Sequence, residues 1–166
     1  MREPLPFEET HPHLKDFSAF LPELEKESDR GAVLIATGFL DELFKQILLA
    51  YFRMDKASQE LVEGYNAPLG RFANRITAAA ALGLVSERER QEANVLRRVR
   101  NEFAHHVQVS FEQQQIRDLA GNLTFSVPET QGRGRILSSA VALILNLVNR
   151  PAFVSKHRRS ERVWPY

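Results

Sequence analysis

Residues 30–52 set the strongest constraint on the fold. Val33, Ala36, Leu40, Leu43, Phe44, Ile47 and Tyr51 recur at three- and four-residue spacing, and Leu34, Leu48 and Phe52 widen the stripe sideways. A helix this apolar over so much of its circumference has to be central, surrounded by other elements. Ser28 or Asp29 can cap its first N–H groups, and Gly64 is the first strong breaker after it. The chain is therefore expected to be all-α in the main, a multi-helix single-domain bundle organised around this helix.

The partners of that helix are legible from the same periodicity. Residues 13–27 read as a helix with Leu14, Phe17, Phe20, Leu21 and Leu24 on one side, and Pro22 can kink or split it. A short helix is expected over 56–63. Leu69, Phe72, Ile76, Ala79 and Ala80 share a face over 69–82, the alanines of 78–81 allow close approach, and Gly83 ends the element. Ser86 and Glu89 form a capping box that opens a long helix to His105. Ser110 and Gln113 suggest a second such box before a helix over 112–120, with Gly121 as its stop. Residues 134–149 are apolar on most sides and must be covered by the domain or by an oligomer partner, and Pro151 is expected to end them. Alternation in 107–111 and in 123–127 suggests a small two-stranded element.

At 166 residues and 43% apolar composition, one domain over 1–150 with a tail over 151–166 accounts for the length. The absence of cysteine excludes disulfides, thiolate metal sites and cysteine nucleophiles. The five histidines, His11, His13, His105, His106 and His157, show no ligand spacing, so neither a metal nor a cofactor is expected. Met1 to Thr10 is acidic and proline-bearing instead of basic then apolar, and the longest apolar run, Ala140 to Leu145, is far too short for a membrane span, so a cytoplasmic protein is expected. Net charge is only +1, yet the tail carries Arg150, Lys156, Arg158, Arg159 and Arg162 against Glu161 alone. Such a tail either is simply solvated or makes weak, nonspecific contact with nucleic acid or an acidic partner. Trp164, Pro165 and Tyr166 are expected to dock on the domain or on a neighbouring subunit, and homo-oligomerisation is left open.

The densest polar cluster runs from Arg97 to His106. On an ideal helix Leu96, Val99, Phe103 and Val107 face inward and Arg100 lies at the edge of that face, a semi-buried cation in need of an anion. Asp41, in an apolar stretch of the central helix, is the expected partner. Arg97, Asn101 and His105 form a separate stripe that either holds an anion, moves a proton, or fixes the helix through hydrogen bonds. Gly132-Arg133-Gly134-Arg135 lacks the strand and the Lys-Ser or Lys-Thr pair of a phosphate loop and reads as a flexible connection. The helices either side of Gly83 superficially suggest a DNA-reading pair, but the second opens with Glu87, Glu89 and Glu92, which would repel a phosphate backbone.

Three segments, in order, resemble the mannitol operon repressor family of bacterial transcription regulators. They are Ser28-Asp29-Arg30-Gly31 with Leu40-Asp41; Pro68-Leu69-Gly70 through Arg75-Ile76 to Leu82-Gly83-Leu84; and Val99-Arg100-Asn101-Glu102-Phe103-Ala104-His105. The resemblance covers about 28–125. It implies a helical fold and a non-enzymatic repressor of a sugar-alcohol operon that acts through other regulatory or transcription proteins. Asp29, Arg30, Asp41, Arg75, Arg97, Arg100, Asn101 and His105 are the polar or binding residues this reading selects. The last segment also resembles the Arg-x4-His motif of the HEPN superfamily, which implies the alternative of an RNA-binding module or a metal-independent ribonuclease using Arg100 and His105. Those two residues diverge by ~140° on a regular helix, so they converge only if the helix ends or bends near Ala104, or a second subunit completes the site.

Overall fold

The computed structural model describes residues 15–165. The side chains of Leu14 and Phe17, the histidines 11 and 13, and Tyr166 lie outside the described part. Among the described residues there are eight helices and no strand: α1 (Lys15–Lys26), α2 (Asp29–Tyr51), α3 (Lys56–Val62), α4 (Phe72–Ala81), α5 (Glu87–His105), α6 (Gln114–Gly121), α7 (Gly132–Leu147) and α8 (Arg150–Ser155). The fold is an all-α bundle.

The apolar stripe of α2 does what its width requires. Ala32, Val33, Ala36, Leu40, Leu43, Phe44, Ile47 and Leu48 are all buried, and α1, α3, α4, α5, α7 and α8 each pack on it. The Ser28 hydroxyl accepts from the Gly31 N–H to open the helix. Pro22 sits inside α1 without splitting it.

Local capping chemistry places α4 and α5. The Leu84 N–H donates to the Ala79 carbonyl and the Gly83 N–H to the Ala80 carbonyl, a Schellman closure with Gly83 at φ +70° and Leu84 tucked into the core. Three residues later the Ser86–Glu89 capping box is fully formed. The second box is not formed: α6 starts at Gln114 with Gln113 as its cap and no side-chain cap bond.

The two-stranded element does not exist in the described residues. Val107 is 91% exposed, and the N–H groups of Thr124 and Phe125 bond to the Glu92 carboxylate instead of a neighbouring strand. That carboxylate satisfies the backbone donors a ladder would have used. Pro151 does not end the last long helix either. α7 stops at Leu147, and Pro151 occupies the first turn of α8, where its missing N–H costs nothing. The stretch Gly132–Ser155 is long and apolar enough to cross a bilayer by length and mean hydropathy, 1.4. Here it is two helices, with Ile136, Ala140, Leu143, Ile144 and Leu147 buried in the bundle. The cover expected over α7 is incomplete, since Leu145 remains 48% exposed.

Candidate functional site

The Asp41 carboxylate of α2 is paired, but not with the residue expected. Asp41 Oδ1 accepts from Arg75 Nη1 at 2.7 Å, and Arg75 also donates through Nε to the Leu69 carbonyl (2.9 Å) and through Nη2 to the Val62 carbonyl (3.2 Å). Arg75 is almost wholly buried and Asp41 a third exposed. Arg100 is exposed and donates to its neighbour Asn101 at 3.2 Å. The expected Asp41–Arg100 pair is therefore replaced by Asp41–Arg75. The alanines of α4 let that helix lie close to α2 and bring its arginine within reach. The long Arg100 side chain, at the edge of the α5 core face, carries its guanidinium out to water.

Arg75 is one of six arginines that share a role. Each caps the C-terminal end of a helix to which it does not belong. Arg133 donates to the Leu24 and Glu27 carbonyls at the end of α1, and Arg158 to Leu49 and Phe52 at the end of α2. Arg75 holds Val62, the last residue of α3, and Arg150 holds Leu84, just beyond α4. Arg30 takes the His106 and Val107 carbonyls after α5, and Arg135 takes Ala120 and Leu123 around the end of α6. Helix C-termini present unsatisfied carbonyls and the negative end of the macrodipole, so a guanidinium fork matches them in charge and geometry. Three of these arginines are further anchored by acids: Arg75 by Asp41, Arg133 by Asp29 and Arg150 by Glu89, each at 2.7 Å. Sequence patterning did not reveal this system, because no cap arginine lies near its helix end in the chain.

A second buried polar centre was also missed. Glu92, 1% exposed, accepts from Thr124 N and Oγ1, Phe125 N and Ser139 Oγ. Among the described residues no cation touches it; neutral donors satisfy it. Its place on the inward side of α5, four residues before Leu96 and seven before Val99, was the available signal.

The remaining predicted residues are distributed along α5. Arg97 is half-buried, with Nε sequestered and without a hydrogen-bond partner, and Asn101 is half-buried beside exposed His105. No hydrogen bond joins Arg97, Asn101 and His105 among the described residues, so they form a side of the helix and not a closed network. A cleft of about 410 Å³ between α5 and α6 is lined by Arg98, Asn101, Glu102, Gln115, Asp118 and Asn122 with Leu119. In it Asp118 accepts from Gln114, and Glu102 lies 3.2 Å from His106 Nδ1. Among the described residues no three carboxylates or imidazoles converge to hold a metal. α5 stays regular through His105, so Arg100 and His105 remain on different sides of it.

No family model and no curated protein matches the chain. Among solved structures, the bundle superposes on a chain of the MtlR–HPr complex from Escherichia coli with a TM-score of 0.57, at 22% identity, covering 83% of this chain and 97% of that one. The chain has the MtlR fold. Of the polar residues singled out in sequence, Arg30 and the Asp41–Arg75 pair are internal ties of this fold, and Asp29 anchors another through Arg133. Only Arg97, Arg100, Asn101 and His105 face outward on α5.

Proposed function

We propose that this chain is a cytoplasmic, non-enzymatic regulator of sugar-alcohol metabolism, a repressor of a mannitol-type operon that works through protein contacts. The observation that carries the reading is the MtlR fold over nearly the whole of the neighbour's length, joined to three sequence segments in matching order. The neighbour was solved with HPr, which makes an HPr-type protein the first partner to test.

The surface chemistry supports contact with protein more than with operator DNA. Six arginines are engaged on helix ends, and α5, the helix that would enter a groove, opens with Glu87 bound to Arg90 and Glu89 bound to Arg150. The geometry of α5 supports the reading without nuclease chemistry, since Arg100 and His105 do not converge. Titrating the purified chain with HPr from the same cells should give a saturable, stoichiometric heat signal, and deleting the gene should raise expression from the sugar-alcohol operon. Absence of both effects would overturn the proposal. Incubation with total RNA should leave it intact; cleavage lost in His105→Ala would establish the ribonuclease reading instead.

A further inference from the structure

Two apolar features of the bundle are left without cover. The first is a groove of about 340 Å³ between α1 and α7, floored by Leu21, Leu24, Leu137 and Val141. From Ile136 to Asn149 the chain carries no charged residue, so this side of α7 offers nothing for a strongly charged partner to recognise. Two charged side chains border the groove. Arg133 is committed to Asp29 and to the end of α1, whereas Glu25 is exposed and its carboxylate bonds to no described residue.

The second feature is Trp164, the only tryptophan, in the irregular segment 158–165 that follows α8. It is 68% exposed, beside Val163 at 95%, and its indole N–H has no acceptor among the described residues. Tryptophan is enriched among the residues that anchor interfaces, where the ring fills an apolar pocket and the N–H finds an acceptor. The groove supplies both, an apolar floor for the ring and the unpaired Glu25 carboxylate at its rim. Pro165 restricts the Trp164 backbone to extended conformations, which lowers the ordering cost of docking it.

The ring cannot enter the groove of its own chain. Arg133 ties the groove to the start of α2, through Asp29 and the Leu24 carbonyl. The Arg159 N–H ties the segment after α8 to the other end of α2, through the Tyr51 carbonyl. Between these two anchors α2 runs for about 33 Å at the helical rise, and the five residues from Arg159 to Trp164 span at most ~17 Å.

We propose that Trp164 of one copy docks in the α1–α7 groove of a second copy of this chain. The exchange is reciprocal and gives a closed two-fold dimer with two identical contacts. In each contact the ring lies on Leu24, Leu137 and Val141, and the indole N–H donates to Glu25.

Because Trp164 is the only tryptophan, its fluorescence reads the docking directly. Over a concentration series of the full chain, emission should move from that of a water-exposed indole to shorter wavelength, in step with a doubling of mass in sedimentation. Trp164→Ala and, separately, Val141→Glu should each weaken dimerisation at least tenfold with helical circular dichroism unchanged. Val141→Glu keeps its tryptophan, whose emission should stay that of an exposed indole throughout. Mixing the two variants brings one intact Trp164 together with one intact groove, so the mixture should associate and shift its emission where neither variant does alone. That complementation separates a lost contact from a damaged fold, and its failure would overturn the proposal. Since Trp164 is exposed in the single chain, its replacement spares the bundle; a dimer that survives it would mean that the copies meet elsewhere and would also overturn the exchange. So would a monomer at every concentration, with the groove left to another segment or protein, or a short-wavelength emission already present in the monomer.

Discussion

Arginine is the residue on which this protein's architecture turns. Arg75 shows why: one guanidinium neutralises Asp41 and satisfies the carbonyls of Leu69 and Val62, joining α2, α3 and α4 at a single point. Removing it leaves a carboxylate and two carbonyls without partners. Arg75→Ala should therefore cost about 3–5 kcal/mol by denaturant titration, and Asp41→Ala somewhat less, because that carboxylate is a third exposed. The two effects should be strongly non-additive in a double-mutant cycle, whereas Arg100→Ala should stay within about 0.5 kcal/mol of wild type. Additivity at 41 and 75 would reject the pair. Glu92 sets a matching expectation. Glu92→Leu strands the Thr124 and Phe125 N–H groups and the Ser139 hydroxyl, at about 1–3 kcal/mol for each donor left buried and unmade, and should unfold the chain or leave it marginal. That Asp41 needs a cation was readable from its apolar surroundings in sequence. Which cation it has was not, because sequence periodicity orients a side chain about its own helix and says nothing about which neighbouring helix lies closest.

At the scale of the element, α5 shows where sequence reading succeeds. Its start depends on residues three apart, and the Ser86–Glu89 capping box forms as the pattern requires. The false strands mark the opposite limit, since alternation at 123–127 is a local signal that a buried carboxylate 32 residues upstream overrides. The false second capping box fails for a related reason. Ser110 precedes the observed start of α6 by four residues, and Gln113 bonds back to the Gln108 carbonyl instead of forming a box. The first turn of α5 also carries a pH signature. Hydrogen bonds from Arg90, then Gln91, hold the Glu87 carboxyl down at about 2 from its ordinary 4.5. A depressed folded value means that the group's contribution to stability is complete above about 4.5 and is lost as pH falls through about 2. Thermal melts should therefore show wild type losing more stability than Glu87→Gln between pH 4.5 and pH 2, and the two converging at the acid end. Parallel acid titrations of the two proteins would show that the bond contributes nothing in solution, as exposed ion pairs often do.

For the whole molecule, the C-terminal segment changes meaning once it is folded. In sequence it is a basic tail; in the structure much of its charge serves the bundle. Arg150 bonds to Glu89 and Leu84, Val154 is buried, Arg158 caps α2, the Arg159 N–H donates to the Tyr51 carbonyl, and the Arg159 guanidinium stands over the Tyr51 ring. Arg53 reaches across to Glu161. A chain cut after Arg150 loses α8 and the cap of the central helix together. Burying a valine is worth about 1.5–3 kcal/mol and each carbonyl left buried without its donor costs about 1–3 kcal/mol, so truncation should remove several kcal/mol from a total of roughly 5–15. Loss of repression in such a truncation would then report unfolding, not a lost nucleic-acid contact. The charges least tied to the bundle are Lys156, whose ammonium overlies only the exposed Phe153 ring, and Arg162, both exposed. Replacing both with glutamine should leave the melting temperature and repression unchanged, and should weaken only the salt-sensitive, sequence-indifferent retardation of DNA in gel shifts. If that double variant relieved repression while remaining folded, the tail would be the contact that matters, and the assignment of function to the helical body would fail.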